Sequence, residues 1–137
     1  MTPFAIAAPG RILFGRGEAG RAADLIADIG MRGILVHGAR ARRAAWLVDG
    51  LRERDVQLLA IACPEEPTLP VLEEALPAAR LLRPDWVVAL GGGAALDMGK
   101  ALAALIPARG APRDHLELAG PGLPLTAAPL PFVAIPT

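Results

Sequence analysis

Apolar positions along this chain alternate between short unbroken runs and recurrences every third or fourth residue. The first pattern suits strands and the second suits one face of a helix. Residues 4–7 and 11–14 read as short extended segments parted by Pro9-Gly10 and stopped by Gly15, which predicts an N-terminal β-hairpin. Ala22, Leu25, Ile26 and Ile29 recur at helical intervals, predicting a helix over 17–29 with Gly30 as its C-terminal cap. Residues 33–37 are short and almost wholly apolar, as expected of a strand covered on both faces. A helix is predicted over 40–54 through Ala44, Leu47, Val48 and Leu51, then a strand over 56–61. A helix over 69–82, interrupted or bent at Pro77, is followed by a strand over 86–90 and a helix over 94–106. A stretch rich in proline and glycine, 107–131, leads to a last apolar run at 132–135.

Strand and helix in alternation predict an α/β fold: a mainly parallel sheet with helices on both faces, and the hairpin at its start. At 137 residues, 53% of them apolar, the chain suffices for one domain, 1–137, and not for two ordinary ones. Fourteen basic residues balance fourteen acidic ones, so no global field favours nucleic acid or an anionic membrane, and any anion site must be local. Aromatic residues make up only 4% of the chain, too few for the stacking platforms of single-strand binders. The single cysteine, Cys63, forms no internal disulfide and reads as a packed thiol. No apolar run approaches the ~20 residues of a membrane span and the N-terminus lacks the layout of a signal peptide, so a cytoplasmic location is expected.

Chemistry concentrates in one stretch, Gly91-Gly92-Gly93-Ala94-Ala95-Leu96-Asp97-Met98-Gly99-Lys100, which joins a strand to a helix and holds the only lysine. In open parallel sheets ligands bind beyond the carboxyl ends of strands, where glycines let the backbone approach them closely. The free N–H groups and dipole of the following helix would hold a pyrophosphate at Gly92, Gly93, Ala94 and Ala95. The spacing is neither G-x-G-x-x-G nor that of a P-loop, whose lysine would come earlier. Asp97 and Lys100 fall on one helical stripe with Gly93, beside an apolar stripe of Ala94, Met98, Ala101 and Leu105. Two readings of the pair stand: an exposed i, i+3 ion pair, or a polar edge facing a ligand.

These residues resemble the N-terminal domain of the iron-containing (group III) alcohol dehydrogenase family, which includes maleylacetate reductases and resembles glycerol dehydrogenases. The matching stretches are Gly10-Arg-Ile-Leu-Phe-Gly15 with Gly17, Pro67-Thr68, Asp85 with the glycine run, and the ending Pro129-Leu-Pro-Phe-Val-Ala-Ile-Pro136-Thr137. The resemblance implies a Rossmann-like domain binding NAD or NADP. It implies a pyrophosphate facing 91–94, Asp97 and Lys100 toward the ribose and an interdomain cleft, and Thr137 toward the adenosine side. In that family a helical C-terminal half supplies an aspartate and three histidines for a divalent metal, iron or zinc. The metal polarises an alcohol or aldehyde oxygen during hydride transfer.

Three departures qualify the expectation. Ala94 replaces the usual serine, which removes one hydroxyl and leaves the backbone cradle. His37-Gly38 stands where many NAD-preferring members carry an acidic residue, and Arg40, Arg42 and Arg43 follow. NADP is therefore at least as plausible as NAD, unless those arginines are only a solvated helix face. Lastly, the chain stops at Thr137, before the expected metal-binding half. His37 and His115, the only histidines, make no ligand pair, so neither metal nor catalytic residues are expected in this chain. Trp46 and Trp86 read as core or interface residues. The expectation is an oxidoreductase's cofactor domain, inactive alone and prone to self-association as a homo-oligomer through exposed apolar surface. Its rivals are the NAD domain of a dehydroquinate synthase-like lyase and a non-catalytic nucleotide-binding or dimerisation module.

Overall fold

A computed structural model of the chain describes residues 9–137. Four parallel strands, β1 (Arg32–His37), β2 (Gln57–Ala62), β3 (Trp86–Gly91) and β4 (Phe132–Pro136), form one sheet in the order β2-β1-β3-β4. The helices are α1 (Ala22–Ala27), α2 (Ala45–Arg52), α3 (Leu69–Leu82) and α4 (Gly93–Leu105). β1 and β3 occupy the centre, and alternate residues along them feed two separate cores. Ile34, Val36, Val87 and Ala89 meet Leu76 and Ala79 of α3 and Met98 and Leu102 of α4. Leu35, Trp86, Val88 and Leu90 meet Ile26 of α1 and Leu47 and Leu51 of α2. The expected parallel sheet with helices on both faces is present, and its period-2 alternation explains why the central strands read as unbroken apolar runs.

The two predicted N-terminal helices each begin as a 3-10 turn. Glu18–Arg21 precedes α1, and Ala41–Arg43 precedes α2. Gly30 is not a left-handed cap, because α1 ends at Asp28. Gly30 is small for another reason: a Cβ there would collide with the Asp85 side chain, and its carbonyl accepts the Trp86 Nε1–H at 2.8 Å. Gly33 on β1 makes room for the same indole, whose ring occupies the place of a Cβ. α3 runs through Pro77 without interruption. Both Pro77 and Glu73, whose carbonyl the proline leaves unbonded, lie on the exposed face, so water can take that carbonyl.

The first arm of the expected hairpin, 4–7, lies outside the described residues. The second, 11–14, forms no strand and is exposed, with Phe14 99% accessible. It has no pairing partner among the described residues, and an unpaired extended segment has no ladder to hold it. The apolar stripe of α4 is also displaced from its expected position. Ala95, Met98, Gly99, Leu102, Ala103 and Leu105 are buried, whereas Ala94 and Ala101 are only half-buried. Gly99 fixes this rotation, because a Cβ there would come within 2.8 Å of both Ala89 and Phe132.

Candidate functional site

The chain order passes from β1 outward to β2, then back across β1 to β3 and on to β4, so the sheet reverses direction between β1 and β3. A crevice opens beyond the carboxyl ends of adjacent strands at such a reversal. A cleft of about 180 Å³ lies there, lined by His37, Gly38, Arg40, Arg43, Leu90, Gly91, Gly92 and Thr137, among others. Its volume is below the ~300–1,000 Å³ of pockets that enclose a whole small molecule. It can therefore take part of a dinucleotide and leave the rest on open surface.

The three glycines of the opening turn have different roles. Gly91 has φ 155°, and a Cβ on it would lie 3.0 Å from the Ala95 methyl and 3.4 Å from the Gly38 nitrogen. It must be glycine for the chain to leave β3 and enter α4 while passing the end of β1. Its carbonyl is taken by the Thr137 N–H at 3.2 Å, which joins the end of β4 to the same turn. Gly92 is the extended N-cap of α4 (φ −80°, ψ −169°), with Gly93 the first helical residue. A Cβ added to Gly92, Gly93 or Gly38 meets nothing within 4 Å. The first bond of the helix is Leu96 N–H to the Gly92 carbonyl at 3.1 Å, so the N–H groups of Gly93, Ala94 and Ala95 precede the helical ladder. Space and donors coincide over Gly92 and Gly93, as a phosphate cradle requires.

His37 is buried at the end of β1, and its Nδ1 lies 2.7 Å from the Gly38 carbonyl. A carbonyl only accepts, so Nδ1 carries the proton and the ring pins the turn that follows β1. Arg40 and Arg43 bracket the 3-10 turn, with Arg43 N–H donating to the Arg40 carbonyl at 2.9 Å. Both residues line the cleft and Arg42 does not. Neither Arg40 nor Arg43 has an ion-pair partner among the described residues. The three arginines lie together in the sequence, and which two of them line the cleft depends on how the turn after β1 is set against β3.

Asp97 and Lys100 do not line this cleft. They lie farther along α4 as an exposed pair, Lys100 Nζ to Asp97 Oδ1 at 3.1 Å. Cys63, at the end of β2, is buried with Sγ 3.2 Å from the Glu65 carbonyl and 3.5 Å from the Ala94 carbonyl. Burial, and then the charge of Glu66, push its thiol up, so it is a packed group rather than a nucleophile. Asp85 serves the opposite end of the sheet. It accepts the Arg32 N–H at 3.0 Å and the Arg32 guanidinium at 3.3 Å, clamping the starts of β1 and β3. Among the described residues no three His, Cys, Asp or Glu side chains gather closely enough to hold a metal, so these residues do not by themselves fit an iron site. No helix among them is long and apolar enough to cross a membrane.

A switch-point cleft with a glycine turn at a helix start defines a Rossmann-like α/β fold. The sequence pattern of the iron-containing alcohol dehydrogenases matches residues 9–137, and the chain belongs to that family. The fold is similar to solved structures of several members. A Thermococcus thioreducens iron-containing alcohol dehydrogenase is 28% identical with TM-score 0.72, over 92% of this chain and 35% of that one. A Bifidobacterium kashiwanohense sulfoacetaldehyde reductase in complex with NAD+ is 25% identical with TM-score 0.77, over 98% and 36%. A Thermotoga maritima NADH-dependent butanol dehydrogenase is 23% identical with TM-score 0.79, over 96% and 34%. The chain thus spans about a third of the length of these structures. No curated protein sequence matches it.

Proposed function

We propose that this chain is the nucleotide-binding part of an NAD(P)-dependent alcohol dehydrogenase that interconverts an alcohol and an aldehyde. The observation that carries the reading is the contrast among the glycines. Gly91 is fixed by backbone geometry, whereas Gly92 and Gly93 leave room that no protein atom fills, directly before three helical N–H donors. A pyrophosphate matches that cradle in charge and in need of donors. The family and the NAD-linked relatives support the same ligand.

When bound, a nicotinamide cofactor supplies the hydride donor or acceptor. The residues of this chain orient it. Gly93, Ala94 and Ala95 donate backbone hydrogen bonds to the pyrophosphate, and Ala94 adds no hydroxyl. Gly38 and Thr137 border the adenosine side. Asp97, one helical turn beyond Gly93 on the same stripe, and Lys100 lie outside the cleft as an exposed pair, and in this reading they meet the ribose only where it leads away from the cradle. The metal step of the family belongs to donors outside the described residues.

Gly92→Val tests the cradle. Valine suits the extended backbone there and its Cβ meets no neighbour, so the cost to folding is about 1 kcal/mol, that of a poorer helix cap. Calorimetric titration with ADP-ribose should show at least a tenfold loss of affinity. A folded variant binding as tightly as the parent would refute the cradle.

A further inference from the structure

The cleft divides by charge. Its floor is backbone, and the wall rising from the start of α2 carries two guanidiniums, Arg40 and Arg43, with no acidic side chain among the lining residues. A carboxylate at the end of β1 would accept the ribose 2′-hydroxyl of NAD and repel a 2′-phosphate. Here that position is His37-Gly38. The His37 Nδ1–H is already donated to the Gly38 carbonyl, and the space above Gly38 is open. Two arginines with no ion pair among the described residues, bracketing one 3-10 turn beside open space at a strand end, form a receptor for a dianion.

The geometry points to NADP(H) as the cofactor, its ribose 2′-phosphate held by Arg40 and Arg43. Arg42, one residue from Arg43 yet outside the cleft, has no part in this contact. The inference rests on the nucleotide site proposed above and adds to it the identity of the ligand. An exposed cation pair on a solvated helix would attract any nucleotide weakly. A 2′-phosphate receptor discriminates, and its contribution falls with salt because charge dominates it.

The test compares NADP+, NAD+, 2′,5′-ADP and ADP-ribose, each titrated calorimetrically onto the purified chain and onto R40A/R43A and R42A. NADP+ should bind at least tenfold more tightly than NAD+, and 2′,5′-ADP should bind measurably. R40A/R43A should lose that margin, weakening NADP+ and 2′,5′-ADP at least threefold more than NAD+ and ADP-ribose. R42A should keep it. Equal or tighter binding of NAD+ by the parent, or equal weakening of every ligand in R40A/R43A, overturns the assignment while leaving the cradle standing. Failure of all four ligands to bind the folded parent overturns the cradle and this inference together.

Discussion

At the scale of single residues, position decides whether a charged or small group serves folding or the ligand. Asp85 belongs to folding. Burial pushes its carboxyl up, but the Arg32 N–H, the Arg32 guanidinium and the Met31 N–H overcome this and hold it below the usual carboxylate range. A group whose folded pKa is depressed stabilises above its unfolded value, about 3.9, and that stability is lost as pH falls through the folded value. Asp85→Asn should therefore lower the melting temperature more at pH 7 than at pH 3. Equal losses at both pH values would show that the carboxylate charge is not what the clamp uses. In the sequence Asp85 stood out only by resemblance, because a clamp between residues 53 positions apart has no local pattern. Gly30 was misread for a similar reason. A glycine after a helix signals a cap, while the partners that exclude a side chain here, Asp85 and Trp86, arrive from another strand.

At the scale of elements, the periodic signal recovered each helix and strand of the described α/β core, because apolar spacing states which face is covered. It erred on the rotation of α4, which is set by Gly99 against Ala89 and Phe132 rather than by hydrophobicity alone. It was also silent on what joins α3 to α4. Arg80 Nη2 donates to the carbonyls of Leu105 at 2.9 Å and Ala108 at 2.8 Å, with Gly110 at 3.4 Å, closing the C-terminal end of α4. Arg80→Ala leaves these acceptors without their donor and should cost about 1–3 kcal/mol, read as a lower urea midpoint. Arg80→Lys should recover only part, since its ammonium reaches less far than the Nη2 that makes all three contacts. A midpoint unchanged in Arg80→Ala would mean that water replaces the guanidinium fully. The Asp97–Lys100 pair, with both side chains more than half exposed, is worth a few tenths of a kcal/mol to α4 at most.

At the scale of the whole molecule, the cleft needs both central strands to end in register, with His37 opposite Leu90 and Gly91 opposite Pro136. No window of sequence shows that juxtaposition. The glycine run was legible because its chemistry is local, whereas the close approach of Gly38 to Gly91 and the selection of Arg40 and Arg43 depend on topology. The same topology predicts a gradient of protection. β1 and β3 are paired on both sides and covered on both faces, while among the described residues β2 and β4 are edges and partly exposed. In hydrogen-exchange mass spectrometry, amides of 33–37 and 86–90 should exchange last. Earlier exchange of those segments than of β2 would contradict a core centred on β1 and β3. The indole that packs over Gly33 also gives the molecule an optical reporter. The chain has two tryptophans and no tyrosine. Trp86 is wholly enclosed with its Nε1–H donated, and Trp46 is 42% accessible on α2. A soluble quencher should extinguish the red-shifted emission of Trp46 first and leave the blue-shifted light of Trp86. The surviving fluorescence then follows the strand whose far end forms the glycine turn.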